Sequence, residues 1–126
     1  MGTRLLLTEE CPKHDNVKKT LLEAKETDTV LVLRPYGNTH RCLITDITKK
    51  VQELEKESAP FEKVYPLIEG AKNEKLVKEA DFSGGFLSCG QGIGQIDRIL
   101  PVRELFDQLA EQVSDAGKRT NEIIGG

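Results

Sequence analysis

A chain of 126 residues can enclose one small domain with a real hydrophobic core and no more. Its 18 basic and 21 acidic side chains are interspersed and sum to −3, so no basic stripe invites nucleic acid, and four phenylalanines, two tyrosines and no tryptophan leave little for base stacking. No apolar run approaches the roughly 18 residues of a membrane span, and the N-terminus lacks the layout of a signal peptide.

Met1-Gly2 opens like a myristoylation site, but Leu6 stands where Ser or Thr is required. Three cysteines, Cys11, Cys42 and Cys89, are an odd number without C-x-x-C spacing, which points to a reduced, cytoplasmic setting.

In chain order, Met1–Thr8 (MGTRLLLT) carries three consecutive leucines and is expected to be a strand buried on both faces, as in a parallel sheet whose other strands lie outside this chain. Cys11-Pro12-Lys13-His14 makes a turn. Asp15 is the expected N-cap of a helix over Asn16–Glu26, with Val17, Leu21 and Ala24 on one face. Cys11 and His14 have C-x-x-H spacing, but without a second pair this is half a zinc site, and a turn residue beside a surface imidazole is the favoured reading.

Thr29–Leu33 (TVLVL) is expected to be a strand, ended by Pro35 and the Tyr36-Gly37-Asn38 turn. From Thr45 to about Glu57 the spacing of Ile47, Val51 and Leu54 predicts a helix, and the mixed charges of KKVQELEKE form its solvated face. Pro60 suits the first turn of a short helix that Pro66 should kink or split, with Val64, Leu67 and Ile68 buried, and Asn73–Ala80 predicts another short helix.

Ser83–Gly94 (SGGFLSCGQGIG) holds five of the eleven glycines. Gly85 and Gly90 have phosphate-loop spacing, but Gln91 replaces the lysine that such a loop needs; Gly90, Gly92 and Gly94 miss the dinucleotide pattern by one place, at Gln95. A glycine-rich turn packed closely against another backbone stands as the alternative to a binding loop. The last helix, opened by Pro101, carries Val102, Leu105, Phe106, Leu109, Val113 and Ala116 as a wide apolar stripe expected to be core; Gly117 is the expected stop, and 118–126 a loose tail.

Four stretches in order, MGTRLLLTEECPKH, ETDTVLVLRPYGNTHR, KKVQELEKE and GGFLSCGQGIGQIDRILPVRELFDQL, resemble the nitronate monooxygenases (2-nitropropane dioxygenases) and the related flavin enoyl-acyl carrier protein reductases II. The resemblance covers nearly the whole chain. It implies a mostly helical α+β fold: the C-terminal fragment of an FMN-dependent (β/α)8 TIM barrel, with its last strand and terminal helices, plus its small inserted α+β domain. On this reading residues 1–26 are the last barrel strand and following helix, 27–80 the small substrate-side domain, 81–117 the glycine-rich loop and closing helix. A full barrel needs about 250 residues, so an N-terminal barrel segment is the implied partner.

The resemblance places Gly2 and Thr3, in the GTR motif, near the FMN phosphate, and Ser88, Cys89, Gly90 and Gln91 in the glycine–glutamine segment that faces flavin and substrate. The histidine base of nitronate monooxygenases has no counterpart: neither His14 nor His40 fits its motif, so no catalytic residue is assigned. A nucleophilic Cys89 would need a nearby base and a lowered pKa, and the sequence supplies neither. The implied activity is oxidation of alkyl nitronates with FMN and O₂. The alternatives are NAD(P)H-dependent reduction of an enoyl thioester, or a non-catalytic module complementing a separate barrel fragment.

Overall fold

The computed structural model describes residues 1–125. Among the described residues six α-helices accompany one two-stranded antiparallel sheet: α1 (Gly2–Leu6), α2 (Asp15–Leu22), β1 (Thr29–Val32), β2 (His40–Leu43), α3 (Asp46–Lys56), α4 (Phe61–Ile68), α5 (Gly70–Glu79) and α6 (Val102–Gly125). The fold is α+β and mostly helical. Among the described residues no helix is long and apolar enough to cross a membrane.

The opening segment corrects the expected strand. A strand buried on both faces must hand its N–H and C=O groups to neighbours on either side. Among the described residues Met1–Leu6 has no such neighbours, and it satisfies its backbone internally instead: Leu5 N–H donates to the Met1 carbonyl and Leu7 N–H to that of Arg4. Only Thr8 pairs as a strand would, in a single parallel bridge to Leu100. Leu7 alone of the three leucines is fully enclosed, in the first of two cores.

The N-cap of α2 is His14, one residue earlier than expected; its ring Nδ1 accepts from Asn16 N–H at 3.1 Å, which gives that imidazole a structural role. The helix stops at Leu22, short of Glu26, because Glu26–Asp28 form a separate 3₁₀ turn in which the Asp28 carboxylate accepts from Lys25 N–H at 2.8 Å. Lys18 of α2 is 5% exposed, and its ammonium donates to the Thr8 and Glu9 carbonyls at 2.8 and 3.1 Å, pinning α2 to the chain around the Thr8 bridge.

The hairpin pairs Thr29 with Leu43, Val30 with Cys42, Leu31 with Arg41 and Val32 with His40. Because side chains alternate along a strand, the two faces of this hairpin serve different cores. Leu43 joins Leu7, Val17, Leu21, Leu76, Leu87, Cys89, Ile93 and Ile96 on one side. Val32 and Cys42 join Leu33, Ile47, Val51 and Val64 on the other. The connection turns through Leu33 and Gly37, both left-handed at φ 62° and 72°, flanking the 3₁₀ turn Arg34–Tyr36. The glycine-rich segment then lies beside β2, with a Cys42–Ser88 bridge and a Leu43 N–H to Leu87 carbonyl bond of 2.9 Å.

Helix α3 starts at Thr45, whose hydroxyl accepts from Thr48 N–H while Thr48 Oγ1 accepts from Thr45 N–H at 2.8 Å, a reciprocal cap. Pro66 stays inside α4 rather than splitting it; the break falls at Glu69, and α5 begins at Gly70, ahead of the expected Asn73. Both α6 expectations change. The Glu10 carboxylate accepts from Val102 N–H at 2.9 and 3.1 Å and fixes the helix start, but the helix runs through Gly117 to Gly125. Its stripe is not core: Leu105 is buried, while Phe106 is 51% and Val113 73% exposed. With Met1, Leu109 and Ala110 they line an open apolar groove of about 500 Å³. The pattern of spacing specifies an apolar face; it does not supply the surface that covers it.

Candidate functional site

Three distant segments converge on a second groove, of about 390 Å³, lined by Gly2, Thr3 and Leu6 of α1, Arg41 of β2, and Ser88, Cys89 and Gly90. The tie that closes it is short: Gly90 N–H donates to Thr3 Oγ1 at 2.8 Å across 87 residues of sequence. A Cβ on Gly90 would lie 3.3 Å from that oxygen, close enough that a larger residue would ask the Thr3 hydroxyl to give by a few tenths of an ångström. At Gly2, by contrast, a Cβ would meet nothing within 4 Å, so its backbone faces open space.

Five of the six sequence-derived site residues therefore share one wall. Gln91 does not: it is exposed, opens the 3₁₀ turn Gln91–Gln95, and lies outside the groove. Two further residues bear on this wall: His40, set aside above as a base, which contacts Ser88 from outside the groove, and Arg41. His40 Nε2 is 2.8 Å from Ser88 Oγ, and its ring stacks on Phe86 with centroids 5.7 Å apart and planes at 23°. Arg41 contributes the only charged side chain on the groove wall, with Nη1 donating to Thr29 Oγ1 at 2.9 Å. Both positions follow from the register of β2.

Cys89 is 5% exposed. Burial pushes its thiol up, against a smaller downward pull from the Arg41 charge. Cys42, behind it, is pushed up to about 12 by burial first and by Cys89 second. Both thiols are protonated at neutral pH. This is the opposite of the activated thiolate that nucleophilic catalysis requires.

The wall is thus mainly apolar, with two hydroxyls and one guanidinium, the composition of a small-molecule site in which a few polar groups fix orientation. A family model for nitronate monooxygenase matches residues 1–112. The chain belongs to the nitronate monooxygenase family. Proteins named "probable nitronate monooxygenase" from Bacillus subtilis (strain 168) and Staphylococcus haemolyticus (strain JCSC1435) are 25% and 29% identical to it, over 89% and 90% of its length. Among solved structures, FabK from Thermotoga maritima superposes with a TM-score of 0.86 at 27% identity over 96% of this chain, and a mutant form of the same protein with a TM-score of 0.77 at 25% identity. The chain spans about a third of these relatives: 32% and 31% of the two nitronate monooxygenases and 38% of FabK.

Proposed function

We propose that this chain is the C-terminal part of an FMN-dependent oxidoreductase that oxidises alkyl nitronates with O₂, incomplete as an isolated polypeptide and completed by an N-terminal barrel segment. Family membership supports the oxidoreductase class. The observation that carries the site is the Thr3–Gly90 hydrogen bond, which joins the two segments that the resemblance assigns to the flavin.

The groove suits part of such a cofactor. Gly2 leaves its backbone unobstructed, Gly90 approaches Thr3 closely, and the Thr3 hydroxyl, having accepted from Gly90, retains its proton to donate to a phosphate oxygen. Gly2 and Thr3 would hold the phosphate end, while Ser88, Cys89 and Gly90 would form the wall beside ring and substrate. FMN, when bound, supplies the electron transfer and the reaction with O₂. The chain's own part is to orient and enclose: the His40 ring fixes the Ser88 hydroxyl, and Leu6 with the neutral Cys89 keeps that wall apolar. No residue here acts as the base.

The uncovered stripe of α6 supports incompleteness. The likeness to FabK favours one second reading, NAD(P)H-dependent reduction of an enoyl thioester on the same scaffold. The purified chain and the chain mixed with the N-terminal two thirds of the B. subtilis relative are titrated with FMN, then assayed for O₂ uptake with a nitronate and for NADH oxidation with an enoyl thioester. The expected result is a colourless chain that becomes yellow and consumes O₂ only in the mixture. Micromolar FMN binding and turnover by the chain alone overturn the incompleteness; no flavin retention in the mixture overturns the cofactor assignment.

A further inference from the structure

Arg41 stands out among the chain's cations. It is half-buried rather than splayed into solvent, it forms no ion pair among the described residues, and it is the single charge on the wall of the Gly2–Gly90 groove. A guanidinium presents five N–H donors in a planar fork. One is held by Thr29 Oγ1, which fixes the plane. No buried donor goes unpaired among the described residues, so the remaining N–H groups are open to the groove or to solvent. Around them stand Leu6, Gly2, the neutral thiol of Cys89, and the hydroxyls of Thr3 and Ser88. The Arg41 charge is felt at Cys89, whose thiol it pulls downward against burial.

We propose that Arg41 is the substrate-recognition residue of this groove, and that it selects a planar anion whose charge is shared by two oxygens, the nitronate, over the neutral nitroalkane with the same carbon skeleton. The proposal rests on the nitronate reading above and adds to it the residue that sets which charge state is accepted. A nitronate places two anionic oxygens on one nitrogen in a plane, the arrangement that lets carboxylates pair side by side with a guanidinium. The nitroalkane has the same heavy atoms but keeps the α-proton and carries no net charge, and an enoyl thioester has no anion at its reacting end. Neither gives the guanidinium a reason to prefer it.

The test uses the full chain and needs neither FMN nor turnover. Propyl-2-nitronate, 2-nitropropane and inorganic phosphate are titrated separately into isotopically labelled protein by NMR, at an alkaline pH that keeps the nitronate deprotonated. The expected result is that nitronate shifts the Arg41 side-chain N–H and the amides of Thr3, Ser88 and Gly90, with affinity at least about tenfold above that of 2-nitropropane, the scale of a charge-assisted paired hydrogen bond. Arg41→Gln abolishes that preference, and Arg41→Lys, which keeps the charge and loses the fork, retains part of it. If Arg41→Gln fails to fold, the Arg41→Lys comparison carries the test. Equal shifts with nitronate and 2-nitropropane, nitronate binding unchanged in Arg41→Gln or Arg41→Lys, or Arg41-dependent shifts with phosphate alone each overturn the proposal. The flavin assignment is judged separately by the reconstitution experiment, so that either idea can fail while the other stands.

Discussion

Gly92 and Gly94 are two places apart in one 3₁₀ turn, yet alanine should act on them with opposite sign. An ideal Cβ on Gly94 would lie 2.5 Å from the Glu26 backbone nitrogen and 3.2 Å from its Cα; on Gly92 it would meet nothing within 4 Å. Ordinary contact is about 3.5 Å, so Gly94→Ala must part the glycine-rich turn from the Glu26–Asp28 turn by about 1 Å. The nearest atom, Glu26 Oε2, lies on a side chain that can swing aside, but the Glu26 nitrogen and Cα are backbone and cannot. Forced overpacking of this kind costs about 1–3 kcal/mol. With an unfolding entropy of about 2.1 cal/mol/K per residue, a chain of 126 residues changes its Tm by about 4 °C per kcal/mol, so Gly94→Ala should lower Tm by about 4–12 °C. Neither glycine has positive φ, so Gly92→Ala only narrows the unfolded ensemble and should raise Tm by about 2–4 °C. Far-UV circular dichroism melts of the three proteins decide the matter. Equal shifts, or a Gly94→Ala protein that melts with the parent, would refute the close-approach argument.

Three further outcomes are expected. Cys42 is held protonated up to about 12 against an ordinary 9.0, so its contribution to stability is complete below pH 9.0 and is lost as the pH rises from there toward 12; Cys42→Ala, though less stable overall, should show a flatter alkaline limb in urea unfolding across that window, and an unchanged limb would count against the assignment. Removing the Glu10 carboxylate with Glu10→Ala strips the Val102 N–H of its acceptor and should cost about 1 kcal/mol, read as an earlier urea midpoint at constant slope. Phe106→Asp and Val113→Glu fall on exposed positions and should leave the melting temperature of the isolated chain within about 2 °C, while abolishing yellow-complex formation with the barrel segment; complementation at parental strength would show that the α6 stripe is not the docking face.

Local patterns fixed what local physics decides. Thr29–Val32 is a strand because a β-branched apolar run between polar turns has few other options, and α3 forms where Ile47, Val51 and Leu54 recur behind a capping threonine. His40–Leu43 was invisible for a physical reason: its alternate residues serve two different cores, so HRCL shows no single apolar face. The Leu5–Leu7 run fits strand and helix equally, and only the availability of strand partners chooses between them. Around the groove, motif order grouped Gly2, Thr3, Ser88, Cys89 and Gly90, which do line one wall, and the close-packing reading of the glycines holds at Gly84, Gly85 and Gly94. The places of Arg41 and His40 were not legible, because what they face is set by hairpin register, and Gln91 lies off this wall because it opens a 3₁₀ turn.

The bonds that build the groove are among the longest-range in the molecule. Thr3 meets Gly90 on the groove wall, and Thr8 meets Leu100 beyond it, each across more than two thirds of the described chain, whereas the hairpin and α3 close over short loops. Loop closure makes such contacts late in folding and early to open, since their entropy is recovered only after the rest is ordered. The groove wall is therefore the part of this molecule whose integrity depends most on everything else having already assembled. Any partner or small molecule that clamps α1 onto the Ser88–Gly90 segment would act as a latch on the entire polypeptide, slowing its opening as well as filling its cleft.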